Sequence, residues 1–196
     1  MRKLITLVAL LFLINGSSAL AQQKNWGAGL RLGDPLGLTV KKYLTNRRAL
    51  EFNFGSTFGY NYRNAFYRYD RFDDDFYDYE KHHIRSAVGL QGRYLFHKNI
   101  SGVSGLDWYY GFGGQFRFFT VDYRYRYYRG PGKKNWDVRN DRVTNTDFGL
   151  DGIIGLEYTF RDAPISVFAD LNLFMELLDD PFLPFLQGGV GGRYNF

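Results

Sequence analysis

The chain contains no cysteine in its 196 residues. That rules out disulfides, thiolate metal sites and thiol nucleophiles, although an exported location would permit disulfides. Long apolar runs are also scarce. After an opening stretch at residues 4–14, nothing approaches the roughly 20 consecutive apolar residues that a membrane-spanning helix requires. Basic tracts are missing as well. Lys and Arg total 25 against 20 Asp and Glu, and the pI is about 9.3, but the bases are scattered between acids, so no nucleic-acid partner is expected. With only three histidines, base-assisted chemistry is confined to a few places, and nothing in the sequence calls for a cofactor.

Aromatic residues and glycine are what the chain has in abundance: 16 Tyr, 19 Phe and 23 Gly, with aromatics at 19%. The mean hydropathy is only −0.35, too polar for a bundle of membrane helices. Strands that cross a membrane can be this polar, because every second residue faces away from lipid. The N-terminus carries Arg2 and Lys3, an apolar run, and then Ser18, Ala19, Leu20 and Ala21 in a small-x-small pattern, which reads as a secretory signal peptide over residues 1–21. Its removal leaves a mature domain of residues 22–196 and takes Arg2 and Lys3 with it, lowering the formal charge from +5 to +3.

Within the mature part, eight segments alternate between apolar and polar residues. The first, residues 25–33, sets Trp26, Ala28, Leu30 and Leu32 on one face with Arg31 on the other, and turns at 34–37. Residues 38–44 set Leu38, Val40 and Leu44 against Thr39, Lys41 and Tyr43, with Lys42 as an outward misfit whose ammonium snorkels. A third begins at Ala49 (Phe52, Phe54 and Phe58 against Glu51 and Asn53). Residues 62–81 mix aromatics with acids and keep no period, which reads as a long loop whose flanks can continue as paired strands. The fourth segment, 84–96, places Gln91 and Arg93 inward. The fifth, from Leu106, sets Trp108, Tyr110, Phe112, Phe116 and Phe118 against Asp107, Tyr109, Gln115 and Arg117. After Phe119 the apolar phase passes to Val121, Tyr123, Tyr125 and Tyr127, as a bulge near Phe119 would cause. Residues 144–160 and those from Ile165 onward form the sixth and seventh, with Asp151, Glu157, Asp170, Asn172 and Glu176 inward. The last, 185–196, puts Leu186, Val190, Tyr194 and Phe196 on one face and Gln187 and Arg193 on the other.

An alternating segment that ends the chain on a free Phe suits a sheet that closes on itself in a membrane. Val190, Tyr194 and Phe196 resemble the C-terminal assembly signal of bacterial outer-membrane barrels, and the mature chain as a whole resembles the family of small eight-stranded barrels typified by OmpX and the OmpA membrane domain. The resemblance implies an all-β, closed, antiparallel, up-and-down transmembrane barrel. It also implies an outer-membrane location, contact with outer-membrane lipid and lipopolysaccharide, and a barrel-assembly machinery as partner during insertion. Outer-membrane barrels have short periplasmic turns and longer extracellular loops. The short connections at 45–48, 97–105 and 161–164 therefore place both termini in the periplasm, and 62–81, 129–142 and 177–184 outside.

Eight strands leave a lumen just wide enough for side chains to fill. The inward set comprises Arg31, Lys41, Arg93, Arg117 and Arg193 facing Glu51, Asp107, Asp151, Glu157, Asp170 and Glu176, which predicts a crosslinked ion-pair plug, because unpaired charge in a narrow lumen is costly. The inward glycines Gly29, Gly111 and Gly113 make room for long arginines. Tyr67, Tyr69, Asp73, Asp74, Asp75, Tyr77 and Tyr79 form a candidate surface-recognition loop for an extracellular protein or other surface ligand, since tyrosines offer contact area at low entropy cost; the same rings also suit an interfacial girdle. Two other classes stand beside this one. A narrow channel would run through the lumen, and a lipid A-modifying enzyme would use His82 or His83 with Glu80 and Ser86. In an extended strand Glu80, His82 and Ser86 share a face, but His82 and Ser86 lie about 13 Å apart, too far for a hydrogen-bonded triad. His97, at the opposite end, reads as an interface residue.

Overall fold

The computed structural model describes residues 25–58, 77–129, 135–178 and 184–196; the expected signal peptide, and Tyr67, Tyr69, Asp73, Asp74 and Asp75 of the recognition loop, lie outside them. Eight strands follow one another around a closed antiparallel ring: β1 (Trp26–Gly33), β2 (Leu36–Thr45), β3 (Arg48–Ser56), β4 (Tyr77–Asn99), β5 (Leu106–Tyr128), β6 (Trp136–Thr159), β7 (Ile165–Glu176) and β8 (Pro184–Asn195). Closure is made by β1 against β8, in register from Gly27↔Asn195 to Gly33↔Gly189. It is sealed by a reciprocal pair of backbone bonds, Trp26 N to Phe196 O at 3.1 Å and Phe196 N to Trp26 O at 2.8 Å. The last residue is therefore held in the seam, and no sheet edge remains in the ring.

Side chains obey the pleat. Leu30, Leu32, Leu38, Phe52, Phe54, Leu90, Phe112, Ile154, Leu171 and Val190 are exposed on the outside, while Arg31, Lys41, Glu51, Gln91, Arg93, Gln115, Asp151 and Arg193 are buried inside. A soluble protein does the reverse, so the outer face is built for hydrocarbon. On β6 this apolar belt runs from Phe148 to Tyr158, which at the usual rise and tilt spans about 25 Å. Aromatic rings band its lower edge, near the termini. Phe96 stacks on Tyr110 at 5.3 Å and Tyr194 on Phe196 at 6.5 Å. Lys42 Nζ lies 5.0 Å from the Trp26 ring and Lys98 Nζ 5.3 Å from the Trp108 ring, so each ammonium caps an aromatic anchor where lipid meets water.

Strand length breaks the symmetry. β4, β5 and β6 have 23, 23 and 24 residues, whereas the others have 8 to 12. Pairing of β3 with β4 ends at Ser56↔Val88, and pairing of β7 with β6 at Gly149↔Glu176. Beyond these points β4, β5 and β6 continue together to Tyr77↔Tyr127 and Tyr128↔Trp136 as a three-stranded sheet projecting from the end opposite the termini.

Two expectations are corrected here. Residues 136–142 are strand and not loop, because cross-strand partners hold them where the sequence shows only polar residues and a lone Trp136, and residues 77–81 are strand as the paired flank of the 62–81 loop. And β5 has no bulge at Phe119. Its register with β6 runs without interruption, and Phe119, Val121, Tyr123 and Tyr125 are buried inside, on the same face as Arg117. The parity holds while the surroundings change: above the belt the outside is water, so charges move outward and rings inward. The irregularities lie on β4 instead, between Tyr79 and Lys81 and between Ile84 and Ser86.

Candidate functional site

The lumen is crossed by a continuous chain of charge. Lys41 donates to Glu157 at 2.7 Å, Arg193 donates to the same carboxylate at 2.8 Å and also to Glu51, Arg93 pairs with Glu51 at 3.4 Å, and Arg93 donates to Asp151 at 2.8 Å. Three bases meet three acids, so the chain is neutral as a whole. Lys41 on β2 and Glu157 on β6 sit on strands diametrically opposite in the ring, which means their bond bridges the full width of the barrel. Tyr43 also donates to Glu157, at 2.7 Å.

A second pair, Arg31 with Asp170, is bidentate at 2.6 and 2.7 Å, and Tyr109 donates to the same carboxylate at 3.2 Å. Fork-to-carboxylate geometry of this kind is the strongest form of charged hydrogen bond. Phe168, buried on β7, lies between the two groups, with the Arg193 guanidinium 3.7 Å and the Arg31 guanidinium 5.9 Å from its centroid. Glycines provide the clearance. A Cβ on Gly189 would lie 2.4 Å from Arg31 Cζ, and one on Gly113 would meet Gly92 O at 2.2 Å as well as the Arg93 side chain and the Asp151 carboxylate at 2.8 Å. Gly29 and Gly111 instead face carbonyls of the adjacent strands, Gly192 O and Tyr94 O.

Amides and short polar groups fill the lumen above these ions. Asn53, Gln91 and Gln115 are linked in sequence at 3.1 and 3.0 Å. Asn172 donates to Gln187 at 2.7 Å, Gln187 to Asp34 at 3.1 Å, and Thr57 to Asp34 at 2.5 Å. The upper end is closed by Arg117, whose guanidinium lies 4.9, 5.2 and 5.7 Å from the rings of Phe119, Phe174 and Phe185 and 3.7 Å from Asp147. The sequence reading passed over Phe168, Phe174 and Asp147, although the alternation of their strands places all three inward.

Two further residues of the expected set lie toward the ends of the lumen. Asp107 is half-buried at the lower rim and accepts from Asn99 at 3.2 Å. Glu176 is buried at the end of β7. His97 is not at the outer interface: it turns inward and is buried, 5.2 Å from the Tyr109 ring and 6.3 Å from the Tyr43 ring. Val190, Tyr194 and Phe196, which the sequence likens to an assembly signal, all point outward.

The projecting sheet has two unlike faces. Inside, Phe119, Val121, Tyr123 and Tyr125 form a packed core joined by Tyr77, Tyr79, Ile84 and Tyr127. Tyr77 and Tyr79 are thus strand residues packed on an aromatic core. Outside, Arg85 and Arg142 both donate to Asp122, at 2.9 and 2.8 Å, and Arg124 and Arg126 both donate to Glu80, at 3.0 and 2.7 Å. Hydrogen bonds from Arg142 and Arg85 hold the Asp122 carboxyl below its usual range, and the bond from Arg126 does the same for Glu80.

His82 turns inward, with Nδ1 2.6 Å from the Tyr79 hydroxyl, and desolvation lowers its pKa. His83 opposes Asp122 and Ser86 opposes Thr120 on the outer face. The two irregularities on β4 therefore separate the groups that strict alternation would align, and Glu80, His82 and Ser86 do not converge. Among the described residues no cluster of three or more His, Asp or Glu is arranged to hold a metal ion.

Neither a protein-family model nor a curated protein matches the chain. Among solved structures, the N-terminal β-barrel domain of OprF from Pseudomonas aeruginosa aligns with a TM-score of 0.50 at 15% identity, covering 89% of this chain and 100% of that one. Ail, the attachment invasion locus protein of Yersinia pestis, aligns with a TM-score of 0.44 at 13% identity, covering 87% of this chain and 95% of that one. The likeness to OprF is one of fold: a closed eight-stranded barrel of the outer-membrane type.

Proposed function

We propose that this barrel is an integral outer-membrane protein with a closed lumen, working as an envelope scaffold and as a surface-interaction module through the sheet and loops at its outer end. The apolar belt, about 25 Å tall, suits the outer membrane, and the signal-peptide pattern of residues 1–21 suits export. The connections at 46–47, 100–105 and 160–164 lie on the side of the termini and are short, whereas at the other end only 34–35 is, so the side of the termini faces the periplasm and the projecting sheet faces the exterior.

One observation carries the reading: the ion-pair chain from Lys41 to Asp151 crosses the lumen with side chains that are almost fully buried. Ions moving through would have to break charge pairs whose separation in a low-dielectric interior costs several kcal/mol each. A conducting channel is disfavoured on that ground. The separation of Glu80, His82 and Ser86 gives no support to a lipid A-modifying enzyme built on them. The recognition role is assigned to the projecting sheet together with the Tyr67, Tyr69 and Asp73 to Asp75 segment that leads into β4, where rings and acids alternate.

Planar-bilayer recording of the refolded protein tests the closed lumen. The reading expects no current steps above the bare bilayer; steady unitary steps that vanish on Lys41→Cys modification would replace the plug with a pore.

A further inference from the structure

The outer face of the projecting sheet has a use that surface recognition by loops does not require. Moving outward from Phe118, the last exposed ring of the belt on β5, this face first presents the hydroxyls of Ser86, Thr120 and Thr144, cross-strand neighbours on β4, β5 and β6. Next come Arg85, Asp122 and Arg142, side by side across the same three strands. Asp122 is four residues beyond Phe118, which at the usual rise and tilt is about 10 Å above the edge of the hydrocarbon. Lipid headgroups add roughly 5–8 Å on each side of the apolar core, so Arg85, level with Thr120 and Val121 and about 5–8 Å above that edge, lies among them, while Asp122 and Arg142 stand at their outer boundary.

The charge at this level is predominantly positive and is held in place. One carboxylate serves two guanidiniums, each through its Nε, and both arginine side chains remain 56% exposed. Bonding through Nε fixes the plane of each guanidinium and leaves its terminal nitrogens to bond a further acceptor such as a phosphate. The pattern repeats one step higher, where Glu80 holds Arg124 and Arg126, and exposed Lys81 stands opposite Arg124. With Asp78 opposite Arg126, five bases share three carboxylates here, a surplus of positive charge that an anionic lipid surface would attract.

We infer that the Arg85/Asp122/Arg142 ladder is a docking face for the phosphate groups of the outer-leaflet lipid. The inference rests on outer-membrane insertion. The face continues the apolar belt upward without interruption, so a lipid whose acyl chains lie along Phe116, Phe118 and Phe148 has its phosphates at the arginines. It would orient the projecting sheet against the leaflet and keep its aromatic face turned away from lipid.

Native mass spectrometry of the detergent-folded barrel tests this, with bis-phosphorylated lipid A as probe and the same lipid stripped of phosphate as reference. The wild-type chain is expected to retain the phosphorylated form about tenfold better. R85Q/R142Q should lose that preference, while R47Q/R48Q, which removes the same charge at the opposite end, should keep it. Equal retention of the two lipids by the wild type, or an unchanged preference in R85Q/R142Q, overturns the inference. So does a face that takes up soluble heparin in an Arg85- and Arg142-dependent way while ignoring lipid phosphate, since its partner would then be a polyanionic glycan. Folding is scored separately by heat-modifiable gel mobility: a barrel that folds and enters vesicles but shows no phosphate preference sinks this inference alone, and one that never enters vesicles sinks the membrane reading itself.

Discussion

Arg31 on β1 grips both carboxylate oxygens of Asp170 on β7 by reaching across β8 at Gly189, the residue directly opposite Asp170 in the sheet register. A Cβ at position 189 would fall 2.4 Å from the guanidinium carbon. Pair and glycine are therefore one device, a bridge that skips a strand and needs a bare backbone beneath it.

Breaking one side of the bridge should be expensive. Arg31→Met strands a carboxylate that is fully buried with its partner and should cost about 3–5 kcal/mol of unfolding free energy. Arg31→Met combined with Asp170→Leu should recover most of that loss. Urea unfolding of the barrel in lipid vesicles, followed by tryptophan emission, checks both variants.

Gly189→Ala should cost about 1–3 kcal/mol, the usual range for overpacking a filled interior. The same substitution in an Arg31→Met background should cost measurably less, because the atom it strikes has gone. A double-mutant cycle gives the coupling directly, and strict additivity would mean that Gly189 serves the backbone and not the arginine.

Adjacent phenylalanines offer a sharper test of which way β5 faces. Phe119 is fully buried, stacked beneath Arg117, while Phe118 is 43% exposed on the belt. Phe119→Ala should cost about 3–5 kcal/mol, and Phe118→Ala about 1.5–3 kcal/mol, the transfer term alone, since lipid fills the space that ring leaves. A bulge that sent Phe119 outward would reverse the order.

These two residues also show where the sequence is a good guide and where it is not. Up to Phe118 the outside is apolar and the inside polar, so the alternation reveals strand, face and barrel, including the closure of the last segment on the first. Beyond Phe118 the two environments exchange character. Val121, Tyr123 and Tyr125 keep the inward parity of Arg117, but an apolar residue no longer signals lipid, and the continuing strand looks like a bulge or a loop. The lumen was legible as a set of inward charges but not as pairs. Which base meets which acid depends on distances across the ring, as for Lys41 and Glu157, and these leave no trace in spacing. The positions of the β4 irregularities, which part His82 from Ser86, leave none either.

The projecting sheet should loosen in mild acid. Burial lowers the His82 pKa in the folded sheet, so below the ordinary value of about 6.5 the unfolded segment takes up a proton before the folded one does. The stability contributed by neutral His82 is present above that pH and is lost as pH falls toward the depressed folded value. Asp122 and Glu80, with pKa values below their usual 3.8 and 4.5, stay ionised through this window and contribute their own loss only at lower pH. Protection factors for the amides of residues 77–84 should therefore fall as pH drops below about 6.5, and His82→Gln should abolish the change.

The chain's three tryptophans supply the most direct test of the whole account, as Trp26 and Trp108 lie in the lower aromatic band and Trp136 at the far end of the projecting sheet. Single-tryptophan variants are placed in vesicles of brominated lipid. Quenching of Trp26 and Trp108 at interfacial depth, with Trp136 untouched by bromine and open to aqueous iodide, is the predicted result. Three tryptophans equally open to iodide and blind to bromine would mean that no bilayer surrounds the belt.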